Sequence, residues 1–253
     1  MNETIQASRG FDTTTHGTSE TEWSAWNRPF PALDLSRCTE LVVVAPHPDD
    51  EVLGVGGLMS IAAASGIAVT VIAVTDGSAS HPGSPTMSAA ELEAERPRET
   101  RRALARLGLD IDPIRLGFAD GDVSGQEDEL ARALTELLSG GPGTWCLTPW
   151  RADRHPDHEA TARATLTAAK RVGIAVLEYP VWMWHWARPD HPDVPWGRAL
   201  SVELDAQVQQ NKRLAAQEFA TQIAPLSTHP ADAAILPPPV LDRLLRSYEV
   251  VFA

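Results

Sequence analysis

The sequence predicts an α/β fold: a Rossmann-like, mostly parallel sheet with helices on both faces, in one domain with a C-terminal extension. Three observations carry this. Short apolar, β-branched runs alternate with longer helical patterns through at least four units. The apolar runs are continuous, as strands buried on both sides are. The 253 residues show no internal repeat and no composition shift that would mark a domain boundary.

The elements follow in order. Residues 41–45 are an apolar run ended by Pro46, and residues 51–65 a glycine-containing helix stopped by Gly66. Residues 68–75 are a second strand closed by Asp76-Gly77. Residues 78–88 form a Gly/Pro/Ser loop, and 89–107 a charged amphipathic helix closed by Gly108. A short strand at 113–116, a loop at 117–125, a helix at 127–138 and a strand at 144–148 come next. A helix at 156–172 ends at Gly173, and a strand covers 174–179. Residues 181–187 read as extended, with Trp182, Trp184 and Trp186 at a spacing of two and so on one face. A helix at 205–221, a short helix opened by Pro237, Pro238 and Pro239, and a last strand at 248–252 complete the chain. Residues 1–22 are polar, rich in Thr, Ser and Gly, and lack an apolar signal core. They are expected to be a flexible leader to a domain spanning 23–253.

Composition narrows the function. The formal charge is −13, a poor match for nucleic acid or an anionic membrane and a good one for a small-molecule partner. No apolar run approaches the roughly 20 residues of a membrane span. Cys38 and Cys146 are the only cysteines, too few for a disulfide framework or a cysteine metal site. A cytoplasmic protein is expected. The eight tryptophans outnumber the five Phe and two Tyr, and Trp faces suit sugars and apolar ligands as well as cores.

Two clusters carry the chemistry. The first strand runs into His47-Pro48-Asp49-Asp50-Glu51, and the fourth into Asp153-Arg154-His155-Pro156-Asp157-His158-Glu159. Each has a His-Pro-Asp core and opens a helix. A parallel sheet brings both to the carboxyl edge of its strands, where ligands bind. His-Pro-Asp alone is an ordinary turn, and acids at a helix start are ordinary caps. Two matched clusters favour a metal held by imidazoles and a carboxylate, with an open position.

These residues resemble the PIG-L/LmbE family of zinc-dependent N-acetylglucosaminyl deacetylases, over about residues 40–172. The resemblance implies His47, Asp50 and His158 as metal ligands, Asp49 as general base and His155 as the group that stabilises the transition state. Zn2+ is the implied cofactor, and Fe2+ suits the same donors. Asp157 is expected to orient a neighbour or cap the helix, and Asp153 to hold the His155 ring. Arg96, with Glu99, Ala103 and Leu107-Gly108, fits a family helix whose arginine reaches the sugar. Asp120 matches a loop acid that contacts sugar hydroxyls. Lys212 and Gln222 fit a late pattern without its usual histidine, Phe219 standing nearby. His81 is expected at the surface or the mouth. The implied reaction removes the N-acetyl group from an N-acetylglucosamine-type conjugate. The alternatives are hydrolysis of another amide, such as a mycothiol-type conjugate, and non-catalytic sugar binding on the same scaffold. The sequence leaves a homo-oligomer open. A nucleotide-binding Rossmann reading fails for want of a glycine-rich phosphate turn after the first strand.

Overall fold

The structure, a computed structural model, describes residues 17–138 and 140–253. Seven strands form one sheet: β1 (Glu40–Ala45), β2 (Ala68–Thr75), β3 (Ile114–Phe118), β4 (Thr144–Pro149), β5 (Ala175–Tyr179), β6 (Ala199–Glu203) and β7 (Tyr248–Phe252). Their order is β3-β2-β1-β4-β5-β7-β6. The first five are parallel; β7 pairs antiparallel with both β5 and β6. The mixed C-terminal edge is the extension, and β6 is a strand the sequence did not announce.

The helices are α1 (Glu20–Ala25), α2 (Asp50–Ala64), α3 (Ala89–Arg106), α4 (Glu127–Leu137), α5 (Pro156–Val172), α6 (Met183–Trp186), α7 (Ala206–Ala216), α8 (Ala220–Ile223) and α9 (Pro238–Leu244). Alternate residues of β1 and β2 enter two separate cores. Leu41, Val43 and Val71 pack with residues of α2, α3 and α7. Val42, Val44, Ile72 and Val74 pack with Leu130 and Leu134 of α4 and Ala160 and Ala164 of α5. Period-two alternation thus gives a sheet covered on both faces.

Two expectations need correction. Residues 181–187 are not extended, since 183–186 form the single turn α6. At helical spacing the three rings diverge. Trp182 reaches the cavity described below, Trp184 meets Trp23 edge-on at 5.0 Å, and Trp186 stacks on Trp150 at 6.0 Å. The helix expected at 205–221 breaks at Gln217–Phe219 into α7 and α8. Of the expected leader, residues 1–16 lie outside the described residues; Glu20 begins α1, and its carboxylate accepts from Arg246 Nε at 2.7 Å.

Helix α2 is interrupted at Val55, whose φ of −141° and ψ of 24° are not helical. The freed backbone groups are buried and need partners. Glu249 on β7 accepts from Gly57 N at 2.7 Å and Leu58 N at 2.8 Å, while Lys212 Nζ donates to Leu53 O at 2.8 Å. Lys212 and Glu249 pair with each other at 2.6 Å, both almost wholly buried. One ion pair thereby satisfies both sides of the break and holds Leu53 at the site. Glu249→Ala leaves the buried ammonium without its counter-charge and two amides without their acceptor, and is expected to cost about 3–5 kcal/mol of stability by denaturant unfolding. A loss below about 1 kcal/mol would contradict this role for the pair.

Candidate active site

β1 and β4 are adjacent and parallel, yet the chain leaves them in opposite directions, to β2 and to β5. This is the topological switch point, where open α/β sheets bind ligands beyond the strand ends. The two His-Pro-Asp segments sit there. Asp49 precedes α2 with φ 134°, a conformation rarely adopted by a residue with a side chain. His155 caps α5, its Nδ1 accepting from Asp157 N at 3.3 Å, with Pro156 at the first helical position.

The side chains converge. One nitrogen from each of His47, His155 and His158 lies within 4.8 Å of the others. Asp50 Oδ2 lies 3.1 Å from His47 Nδ1 and 3.2 Å from His158 Nε2. Asp157 does orient a neighbour: its Oδ2 sits 3.1 Å from His47 Nε2, and it accepts from Gly121 N at 2.8 Å and Val123 N at 3.1 Å. Asp153 holds a different ring from the one expected. Its Oδ2 bonds His158 Nδ1 at 2.8 Å, because one turn of α5 returns His158, not His155, over the loop that carries Asp153.

Burial alone would lower the His47 pKa, but Asp120, Asp157 and Asp50 outweigh it and hold the ring well above its ordinary range. Burial acts likewise on His158, which Asp50 and Asp153 lift to about 9. Against the burial that would raise it, Asp50 is held far below the usual carboxylate range by His158 and His47. Asp49 has no such histidine bond, and burial pushes it up to about 7 against the pull of Arg96. Glu51, pushed up to about 8 chiefly by burial, accepts from Asp49 N at 3.2 Å.

Arg96 is 3% exposed and committed to protein groups. Its NH2 donates to Pro48 O at 2.8 Å and Asp49 Oδ2 at 3.1 Å, and its NH1 to Gly77 O at 2.9 Å. Gly77 has φ 73°, and a Cβ there would come within 2.1 Å of the guanidinium. Asp120 Oδ2 accepts from Ala79 N at 2.6 Å, and its Oδ1 lies 3.3 Å from His47 Nε2. Both residues line a cavity with His47, Asp49, Asp50 and His155. His158 lies behind that group, fully buried.

Of the remaining cavity wall, the sequence singles out Trp182, as part of a tryptophan face suited to a sugar or acyl chain, and Gln222; the other residues carry no signal. Leu53, Val181, Trp182, Ile235 and Leu236 make it apolar, and Ser80 and Gln222 add polar groups. Gln222 Nε2 donates to Thr221 Oγ1 at 2.9 Å. Apart from Leu53 on α2 and Gln222 on α8, these residues sit in connections between elements, where single-sequence periodicity carries no signal. His81 is buried rather than at the surface, its Nδ1 3.0 Å from Ser80 Oγ.

The donor set suits a divalent metal. Two imidazoles and a carboxylate meet: His158 Nε2 is buried 3.2 Å from Asp50 Oδ2, while the Asp153 carboxylate orients the other nitrogen of the ring.

The model of the PIG-L family (GlcNAc-PI de-N-acetylase) matches residues 42–169, half of the chain. The chain belongs to the PIG-L family. A probable N-acetyl-alpha-D-glucosaminyl L-malate deacetylase 2 of Bacillus subtilis (strain 168) is 32% identical over 136 residues, 52% of this chain and 61% of that protein. The diacetylchitobiose deacetylase of Thermococcus kodakarensis is 29% identical over 151 residues, 58% of this chain and 54% of that one. Each match thus spans less than two thirds of the relative. The structure of N,N'-diacetylchitobiose deacetylase from Pyrococcus horikoshii superposes with a TM-score of 0.57 at 20% identity, over 74% of this chain and 73% of that one, a likeness of fold. PIG-L membership places the paired clusters within a deacetylase family. Among the described residues, no helix is long and apolar enough to cross a membrane.

Arg96 opposes the rise in the Asp49 pKa. Arg96→Met should therefore move the Asp49 titration above about 7 in the metal-free protein, read by carbon-detected NMR of the carboxyl groups. An unchanged or lowered value would contradict this role for Arg96.

Proposed function

We propose that the chain is a zinc-dependent N-deacetylase that releases acetate from an N-acetylglucosamine-type sugar on a larger small-molecule conjugate. The observation that carries the reading is the meeting of His47, Asp50 and His158 beside a separate buried carboxylate, Asp49, at the strand edge of a PIG-L fold. His47, Asp50 and His158 would hold the metal. When bound, zinc supplies Lewis acidity and brings the pKa of water towards about 7.

The chain's own residues do the rest. Asp49, near neutral in pKa, accepts a proton from the attacking water and passes it to the leaving nitrogen. The C–N bond breaks, and water and amide become acetate and free amine. His155, whose ring centroid is 4.9 Å from that of His47 and 4.6 Å from that of His158, lines the cavity and donates to the oxyanion of the tetrahedral intermediate. Arg96 keeps the Asp49 carboxylate aimed into the cavity. Asp120, anchored by Ala79 N, offers its carboxylate to sugar hydroxyls at the mouth. The strongly acidic chain is suited to no nucleic-acid partner.

Asp49→Ala should retain zinc and lose about 10²–10⁴-fold in turnover, the usual contribution of a general base. His47→Ala and His158→Ala should lose zinc as well as turnover. Metal content by mass spectrometry and acetate release over a panel of N-acetylglucosamine conjugates check both. Full activity in Asp49→Ala would sink the proposed role of the base.

A further inference from the structure

Asp153 is wholly buried, and its carboxylate meets four donors. Oδ2 accepts from His158 Nδ1 at 2.8 Å and Trp182 N at 2.9 Å. Oδ1 accepts from Met183 N at 2.8 Å and Val181 N at 3.1 Å. Three consecutive amides and one imidazole thus share a single side chain. The backbone of the residue joins in: Asp153 N donates to Trp150 O at 3.0 Å, and Asp153 O accepts from Trp186 Nε1 at 3.0 Å. Val181 and Trp182 are part of the apolar cavity wall. His158 faces the opposite side, where the histidines and Asp50 gather.

We infer that Asp153 is a positioning residue that couples the substrate wall to the metal ligand: one carboxylate fixes both the turn carrying Val181 and Trp182 and the orientation of the His158 ring. The inference rests on the metal centre proposed above. A carboxylate accepts and does not donate, so it keeps the proton on Nδ1 and turns the Nε2 lone pair away from itself. It also has enough lone pairs for the three amides, which would otherwise be buried without partners. An amide of the same shape has one accepting oxygen instead of two. Whichever way it turns, one side of this arrangement meets an N–H group in place of an acceptor. A role confined to capping the turn would tie Asp153 to residues 181–183 alone. The bond to His158 extends that role to the metal site.

The test uses the full chain with Asp153→Asn. Zinc affinity is measured by competition with a chromophoric chelator, and amide exchange is followed at Val181, Trp182 and Met183. Neither readout requires substrate or turnover. The expected result is an affinity loss of about 10- to 100-fold, the usual effect of removing the partner of a metal-bound histidine. Exchange should become faster on the side that meets the new N–H group, at Trp182 or at Val181 and Met183, while amides of β1 and β4 stay protected. Wild-type zinc affinity in the variant would overturn the coupling and leave the deacetylase reading standing, and so would unchanged protection at 181–183. A wild-type chain that takes up no zinc would remove the metal centre and the inference together. If Asp153→Asn does not fold, Asp153→Glu keeps the charge, displaces both oxygens by one methylene, and is read in the same two ways.

Discussion

Carboxylates crowded into a buried space are the constraint on which this structure turns. Asp49, Asp50, Glu51, Asp153 and Asp157 are all buried within two short loops and the helix starts that follow them. Uncompensated, such a group would cost far more than the fold can supply. Compensation comes from His47, His158 and Arg96, and the protein divides it unequally. Asp50 takes both histidines and stays ionised, whereas Asp49 is left to a single guanidinium and rises to about 7. Neighbouring carboxylates thereby acquire different chemistry, one suited to holding a cation and the other to exchanging a proton. Without a metal, the surrounding carboxylates favour the protonated form of His47 and His158. A metal held by these rings would displace those protons.

The rest of the fold serves that arrangement. The switch point between β1 and β4 brings together two loops over a hundred residues apart in sequence. Leu53, two residues before the break in α2, lines the cavity, and the Lys212–Glu249 pair makes the break tolerable in the core. The unusual backbone of Asp49 is held from three sides: by Glu51 at its amide, by Arg96 at its carboxylate, and by the same arginine at the preceding carbonyl. Strain of this kind persists where surrounding contacts over-determine it.

Much of this was legible in the sequence. The apolar runs of β1, β2, β4 and β5 and the glycine stops after their helices gave the parallel core, since burial on both faces leaves a continuous apolar record. The two His-Pro-Asp clusters pointed to the strand edge where their side chains meet. What failed did so for physical reasons. Trp182, Trp184 and Trp186 alternate as a strand would, but the amides of 181–183 are drawn onto Asp153, and a helical turn results. The partner of Asp153 was misread because His155 and His158 are one helical turn apart and only the geometry of α5 decides between them. Arg96 lines the cavity, as the family expectation of a sugar contact requires, but nothing in its helical spacing reveals its three hydrogen bonds to protein or Asp49 as a partner. Ser80, Gln222 and Leu236 reach the cavity only through tertiary packing.

Asp50 stands at the centre of this scheme, between His47 and His158, with His155 kept for the substrate. A zinc-soaked crystal, with diffraction collected on both sides of the zinc absorption edge, would locate the metal directly. An anomalous peak bounded by His47, Asp50 and His158, with His155 facing an open coordination position, is the predicted result. A peak ligated by His155, or one held by His47 with Asp120 and Asp157, would contradict it.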